Sequence, residues 1–150
     1  MTTNKAAKHK AIINWEKQKD GSEYYSWSFD NGVALHNSNN LSMSSAGILD
    51  PETAFVASVA SCHMLSLFAI AAKRGYLVQS YHDEAVGVLE MNPDGRIAVT
   101  RILLSPKIRF GTGNTPSADE MEQLMETTHH NCFIANSIKT ELMVDATLLD

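Results

Sequence analysis

Two cysteines are the residues of this chain with the widest range of chemistry. Cys62 lies beside His63 in the middle of an apolar stretch that spans residues 51–74, and Cys132 directly follows the polar run "HHN". A thiolate is a nucleophile, and a second cysteine close to it can convert a sulfenic acid into a disulfide. These residue types therefore allow thiol redox chemistry.

Two other interpretations of the cysteines stay open at this point. A free cysteine is often a small buried hydrophobic residue without a chemical role. Cysteine and histidine are also zinc ligands, but Cys62 and His63 are adjacent, and adjacent side chains on a helix point about 100° apart. Neither Cys-His pair has the spacing of a zinc chelate, which disfavours a metal site but leaves it among the alternatives.

The apolar stretch is bounded by clear helix signals. Asp50 suits the N-cap, Pro51 suits the first helical position, and Glu52 places a negative charge in the first turn. Two basic residues lie in the last turn, and Gly75 suits the position that follows a helix. The length would allow a membrane span, but the serines near the centre favour a buried core helix.

The remaining segments predict strands, turns and a second helix. Segments rich in aromatic and β-branched residues predict strands, namely "HKAIINWEKQ", "SEYYSWSFD" and "VALHN" before the helix, and "YLVQSYHDEAVGVLEM", "RIAVTRILLSPKIRF" and "TELMVDATLL" after it. Asn31-Gly32 and "NPDG" predict turns, and "NSNNLSMSSAG" predicts a loop.

The second helix is predicted to begin with Thr115 as N-cap and Pro116 as its first residue, and to run through "MEQLMETTHH". The segment "NCFIANSIK" predicts a corner or a short helix. The predicted order is βββ-α-ββ-α-β, which is an α+β fold in a single domain over residues 1–150 with mostly antiparallel pairing.

The composition excludes several classes of function. The chain has 150 residues, of which 44% are hydrophobic and 19% charged, and this indicates a globular domain rather than a disordered one. A net charge of −5 gives no electrostatic basis for binding nucleic acid. The first ten residues are polar and lack the apolar core of a secretory signal. We therefore expect a cytoplasmic protein without a nucleic-acid or membrane partner.

Two regions of the sequence resemble the OsmC/Ohr family of organic-hydroperoxide-reducing proteins. They are "PETAFVASVASCH", with the helix that follows it, and "CFIANSIKTELMVDATL". The resemblance implies an OsmC-like α+β fold, in which antiparallel sheets surround long central helices. It also implies an intertwined homodimer that works without a metal or prosthetic group.

The resemblance further implies a thiol-dependent peroxidase. In the family pattern Cys62 is the peroxidatic residue, Cys132 is the resolving residue, and Glu52 is a carboxylate of the active-site network. The implied partners are an organic hydroperoxide and a dithiol reductant of the lipoyl or thioredoxin type.

One residue of the family pattern is missing. Family members carry an arginine in the amino-terminal strands, where it orients the peroxide and stabilises the thiolate, whereas here no arginine precedes Arg74. The residues that could replace it are His63, His36, Lys17, Lys19 or a later arginine. The absence leaves open a second function, that of a non-catalytic OsmC-like protein that binds an apolar ligand in the dimer cleft.

Helix geometry limits how Glu52 could take part. On a straight helix Glu52 lies about 15 Å along the axis from Cys62, so the two side chains are not expected to touch within one chain. A shared site would need either the helix of a second chain or a bent entry into the helix. A stripe of small residues, Ala54, Ala57, Ser58 and Ser61, would permit such close helix packing, although it could equally pack on the sheet.

Overall fold

The computed structural model describes residues 6–29, 34–37, 41–44 and 50–150. The elements of these ranges are, in chain order, β1 (Ala7–Lys17), β2 (Glu23–Phe29), β3 (Ala34–Asn37), β4 (Leu41–Ser44), α1 (Pro51–Lys73), β5 (Val78–Met91), β6 (Ile97–Leu104), β7 (Lys107–Phe110), α2 (Ala118–Asn131), α3 (Phe133–Asn136), β8 (Glu141–Val144) and β9 (Thr147–Leu149). The α+β class predicted from the sequence is confirmed.

The described strands form one sheet that is mostly antiparallel, as expected. Its order is β4-β3-β2-β1-β5-β6-β8, while β7 pairs with β5 and β9 pairs with β7. The β6–β8 and β7–β9 pairs are parallel. The ladder between β1 and β5 runs from Ala7 opposite Leu89 to Glu16 opposite Ser80. These two strands therefore form the middle of the sheet.

Both ends of α1 are where the sequence signals predict them. The Asp50 carboxylate accepts hydrogen bonds from the backbone N–H and the hydroxyl of Thr53, each at 2.8 Å. After the helix ends at Lys73, Gly75 adopts a φ of 80°, which favours glycine at this position.

Helix α1 packs on β1 and β5 with one side and on α2 with another. Gly87 of β5 permits the close approach, because a β-carbon there would collide with the Val56 side chain. The helix is long and apolar enough to cross a membrane, yet half of its most apolar window is buried inside the protein. It is thus the core helix that the sequence predicts.

Two predicted strands are each broken into two. The chain turns at Ser105-Pro106 between β6 and β7, because proline cannot donate a hydrogen bond to a neighbouring strand. The last segment breaks at a matching place, where Asp145 donates its N–H to the Leu104 carbonyl at 2.9 Å and Thr147 donates to the Pro106 carbonyl at 2.8 Å. As a result β8 continues the sheet beside β6, and β9 lies beside β7.

Two further predictions need correction. Ser117, not Thr115, caps α2, because the Ser117 hydroxyl and the Glu120 carboxylate each accept a hydrogen bond from the other residue's backbone N–H. Residues 41–44, predicted as part of a loop, form β4, since pairing with β3 outweighs their weak local preference. The predicted turn at Asn31-Gly32 lies outside the described residues.

Two buried ionisable groups have opposite effects on proton binding. Neither ring nitrogen of His63 has a hydrogen-bond partner among the described residues, and burial, followed by the charge of His129, lowers the His63 pKa to about 4. One Asp83 oxygen accepts the Ser105 N–H at 2.8 Å. Burial, helped by the charge of Glu84 and opposed by that hydrogen bond, raises the Asp83 pKa to about 6.

The two groups should nearly cancel in the pH dependence of stability. The unfolded chain protonates His63 near its ordinary pKa of 6.5 and Asp83 near its ordinary pKa of 3.8. Acidification therefore lowers the free energy of unfolding through His63, and raises it through Asp83, by about 3 kcal/mol each. Urea unfolding of Asp83→Asn should accordingly show stability falling faster than in the wild type from pH 6.5 to 4. His63→Gln should show the reverse, and variants that keep the wild-type slope would contradict these two pKa shifts.

Candidate functional site

The fold brings the two cysteines together. Cys62 is half-buried on α1, and Cys132 is fully buried between α2 and α3. The Cys62 thiol is close enough to the Cys132 thiol to raise its pKa, and both cysteines are free.

The corner between α2 and α3 holds Cys132 in this position. Cys132 leaves the helical conformation with φ −73° and ψ 109°, and its carbonyl accepts the backbone N–H of Asn136 at 3.0 Å. The Asn136 side chain donates to the His130 carbonyl at 3.0 Å, and the Ser137 hydroxyl donates to the Phe133 carbonyl at 2.8 Å. The Asn-Ser pair of the sequence thus closes the corner on both sides of the cysteine.

The surroundings of Cys132 keep its thiol protonated near neutral pH. Burial, assisted by the neighbouring Cys62 thiol, raises the pKa of Cys132 to about 11. Hydrogen bonds from the backbone of Ala135 and Ile134 oppose this shift without overcoming it. Cys132 is consequently a weak nucleophile until it loses a proton.

A cavity of about 350 Å³ opens at Cys62, between α1 and the α2–α3 corner. Its lining consists of Cys62, Leu65, Ser66, Ala69, Ile70, Lys73, Asn131 and Phe133. The lining is mostly apolar, and Leu65 and Phe133 are 55% and 78% exposed. Large apolar side chains this exposed around a cavity indicate a place for an apolar ligand or a second chain.

The cation in this cavity is not one of those proposed from the sequence. His63 is buried in the core, Lys17 lines a separate cavity beside Trp15, and Lys19 lines neither of the two. His36 belongs to β3, whose side chains are outside the described part. Among the described residues the cavity contains one cationic side chain, that of Lys73.

A polar chain of side chains approaches α1 next to Cys62. The indole N–H of Trp27 donates to the Tyr25 hydroxyl at 2.7 Å, and the Tyr25 and Ser61 hydroxyls share a hydrogen bond. Ser61 precedes Cys62 on the helix. The sequence does not predict this arrangement.

Glu52 lies at the beginning of α1, away from the cavity lining of its own chain. Its carboxylate is close to Asp50 and His9, whose Nδ1 is 3.3 Å from an Asp50 oxygen. Glu52 and Cys62 are both on α1, ten residues apart, which corresponds to about 15 Å along the helix axis.

Solved structures share the fold over nearly the whole chain. An OsmC-like protein of unknown function from Vibrio cholerae is 36% identical, with a TM-score of 0.65 over 92% of this chain and 97% of its own. Organic hydroperoxide resistance proteins from Elizabethkingia anophelis and Bacillus subtilis are 16% and 14% identical, with TM-scores of 0.55 and 0.51. They cover 92% and 97% of this chain, and 95% and 98% of their own chains. None of the curated proteins matches the sequence.

The sequence, as well as the fold, shows to which family the chain belongs. The OsmC-like protein family matches residues 44–147, which include α1, both cysteines and the Asn-Ser pair of the corner. The protein belongs to the OsmC-like family.

Proposed function

We propose that this protein is a thiol-dependent peroxidase that reduces organic hydroperoxides. The observation that carries the proposal is that Cys62, which lines an apolar cavity, lies close to the buried thiol of Cys132. The hydroperoxide resistance proteins that share its fold support the same choice of substrate.

In the first step the Cys62 thiolate attacks the terminal oxygen of the hydroperoxide. A sulfur–oxygen bond forms, the oxygen–oxygen bond breaks, and the alkoxide takes up a proton and leaves as an alcohol. Cys62 is thereby oxidised to a sulfenic acid. Cys62 suits this step better than Cys132, because Cys62 lines the cavity whereas Cys132 is fully buried.

In the second step the Cys132 thiolate attacks the sulfenic sulfur. The disulfide forms and hydroxide leaves, to become water with the proton that Cys132 has released. A dithiol reductant of the lipoyl or thioredoxin type then exchanges with this disulfide, becomes a disulfide itself and returns both cysteines to thiols. The cycle requires neither a metal nor a prosthetic group.

We further propose that the active unit is an intertwined homodimer in the cytoplasm, with Glu52 of one chain beside the Cys62 cavity of the other. The exposed Leu65 and Phe133 support this assembly, since a second chain would cover them. The separation of Glu52 from Cys62 within one chain supports the shared site.

A second function has one observation in its favour. The described part of the cavity has no arginine, and Lys73 follows Cys62 by three helical turns, so no cation directly adjoins the thiol. A non-catalytic protein that binds an apolar ligand would need no such cation. Mass spectrometry after one equivalent of cumene hydroperoxide distinguishes the two, because only the peroxidase gains a disulfide.

Removing each cysteine should give a different defect. Cys62→Ser should abolish hydroperoxide consumption, while Cys132→Ser should permit one oxidation per site and then stall at the sulfenic acid. Steady-state consumption with a dithiol reductant, and trapping of the sulfenic acid by dimedone, measure the two effects. Wild-type turnover by Cys62→Ser would refute the assignment of the attacking thiol.

The raised pKa of Cys132 should make the second step strongly pH dependent. The thiolate fraction of a thiol with a pKa of about 11 grows about tenfold per pH unit between pH 7 and 9. The rate at which the Cys62 sulfenic acid disappears should rise in step, as followed by rapid quenching and mass spectrometry. A rate that does not change with pH would mean that another group removes the Cys132 proton.

Mixing two inactive variants should test the shared site. Cys62→Ser chains retain Glu52, and Glu52→Ala chains retain Cys62, so a mixed dimer has one complete site and should recover part of the activity. Native mass spectrometry of isotope-labelled chains confirms that subunits have exchanged. Exchange without recovery between two inactive parents would show that Glu52 acts within its own chain.

A further inference from the structure

We propose that Lys73 binds the anionic head group of a ligand in the Cys62 cavity. The protein would then select apolar molecules that carry a carboxylate at the end remote from the thiol. That the ligand carries a hydroperoxide near the thiol rests on the proposed peroxidase function, whereas the binding of its carboxylate by Lys73 does not.

The helix sets the distance between the two functional ends of the cavity. Cys62, Ser66, Ala69 and Lys73 follow one another at spacings of four, three and four residues, which places them along one side of α1. Cys62 and Lys73 are about 16 Å apart along the axis. Helical side chains lean towards the N-terminus, so the Lys73 ammonium reaches back over the cavity and shortens this span.

The space between these ends suits an apolar chain. Leu65, Ile70 and Phe133 line it, and its volume of about 350 Å³ falls within the range of small-molecule sites. The amide N–H of Asn131, another lining residue, already donates to the Thr127 carbonyl at 2.8 Å. A ligand would therefore meet mostly hydrocarbon between the thiol and the ammonium.

The charge of Lys73 is available to a ligand. Lys73 forms no ion pair with any described residue, whereas the adjacent Arg74 donates to the Thr127 hydroxyl at 3.0 Å and does not line the cavity.

The number of donors favours a carboxylate over a phosphate. A single ammonium can neutralise one carboxylate, while a phosphate dianion is usually bound by several cations or backbone N–H groups. Within the described residues no second cationic side chain lines this cavity.

Calorimetric titration with decanoate and with methyl decanoate tests the proposal. The wild type should bind decanoate about two- to fivefold more tightly than the ester, as expected for one partly exposed ion pair. Lys73→Met keeps the apolar stem and should abolish this preference, whereas Lys73→Arg should retain it. Arg74→Gln removes a neighbouring charge outside the cavity and serves as the matched control, which should also retain the preference.

Each remaining outcome overturns the inference. A preference that survives in Lys73→Met, or that falls equally in Arg74→Gln, would assign the effect to the general field of the protein. Absence of binding by both compounds would mean that a second chain fills the cavity.

Hydroperoxide consumption separates this inference from the proposed function. A wild type that prefers decanoate through Lys73 but consumes no hydroperoxide would uphold the head-group site and refute the peroxidase. A wild type that consumes hydroperoxide but shows no Lys73-dependent preference for decanoate would uphold the peroxidase and refute the head-group site.

Discussion

The burial of α1 is the constraint on which the rest of this structure depends. The helix is apolar on nearly every side, so it must be covered by more than one element. The ladder of β1 and β5 covers one side, and α2 covers another. The side that remains is the one that carries Cys62, Leu65 and Lys73, and it forms the cavity with the α2–α3 corner. The location of the candidate site is therefore a consequence of how the core helix is packed.

The same burial also leaves polar atoms in the core without hydrogen-bond partners. His63 and Asp83 lie in the core with unpaired atoms, and each is neutral there at a pH at which it would be charged in water. Their opposite responses to protons limit the effect of pH on the fold. Burial likewise keeps the thiol of Cys132 protonated in its position near Cys62.

Structural features that depend on contacts between residues close in sequence can be predicted from the sequence alone. The caps of α1 can be predicted because Asp50 and Gly75 act within a few residues of the helix ends. The break at Ser105-Pro106 is harder to predict, because the flanking residues all favour a strand and the Ser105 N–H is satisfied by Asp83 of the neighbouring strand β5. Thr115 and Ser117 both suit an N-cap. Ser117 takes this position because it forms reciprocal hydrogen bonds with Glu120. Lys73 can be assigned to the last turn of α1, but its place in the cavity depends on a corner that lies far along the chain.

The matching breaks in β6–β7 and β8–β9 have a consequence for the order in which the chain folds during synthesis. The strands β8 and β9 are made after every other described element, and they pair in parallel with β6 and β7. Cys132 lies at the corner between α2 and α3, and β8 and β9 follow this corner in the chain. The corner is therefore held on its C-terminal side only after β8 and β9 have left the ribosome. Until then α1 can pack on β1 and β5 while Cys62 faces no partner thiol. The order of synthesis thus makes the anchoring of Cys132 opposite Cys62 a late event in the folding of the chain.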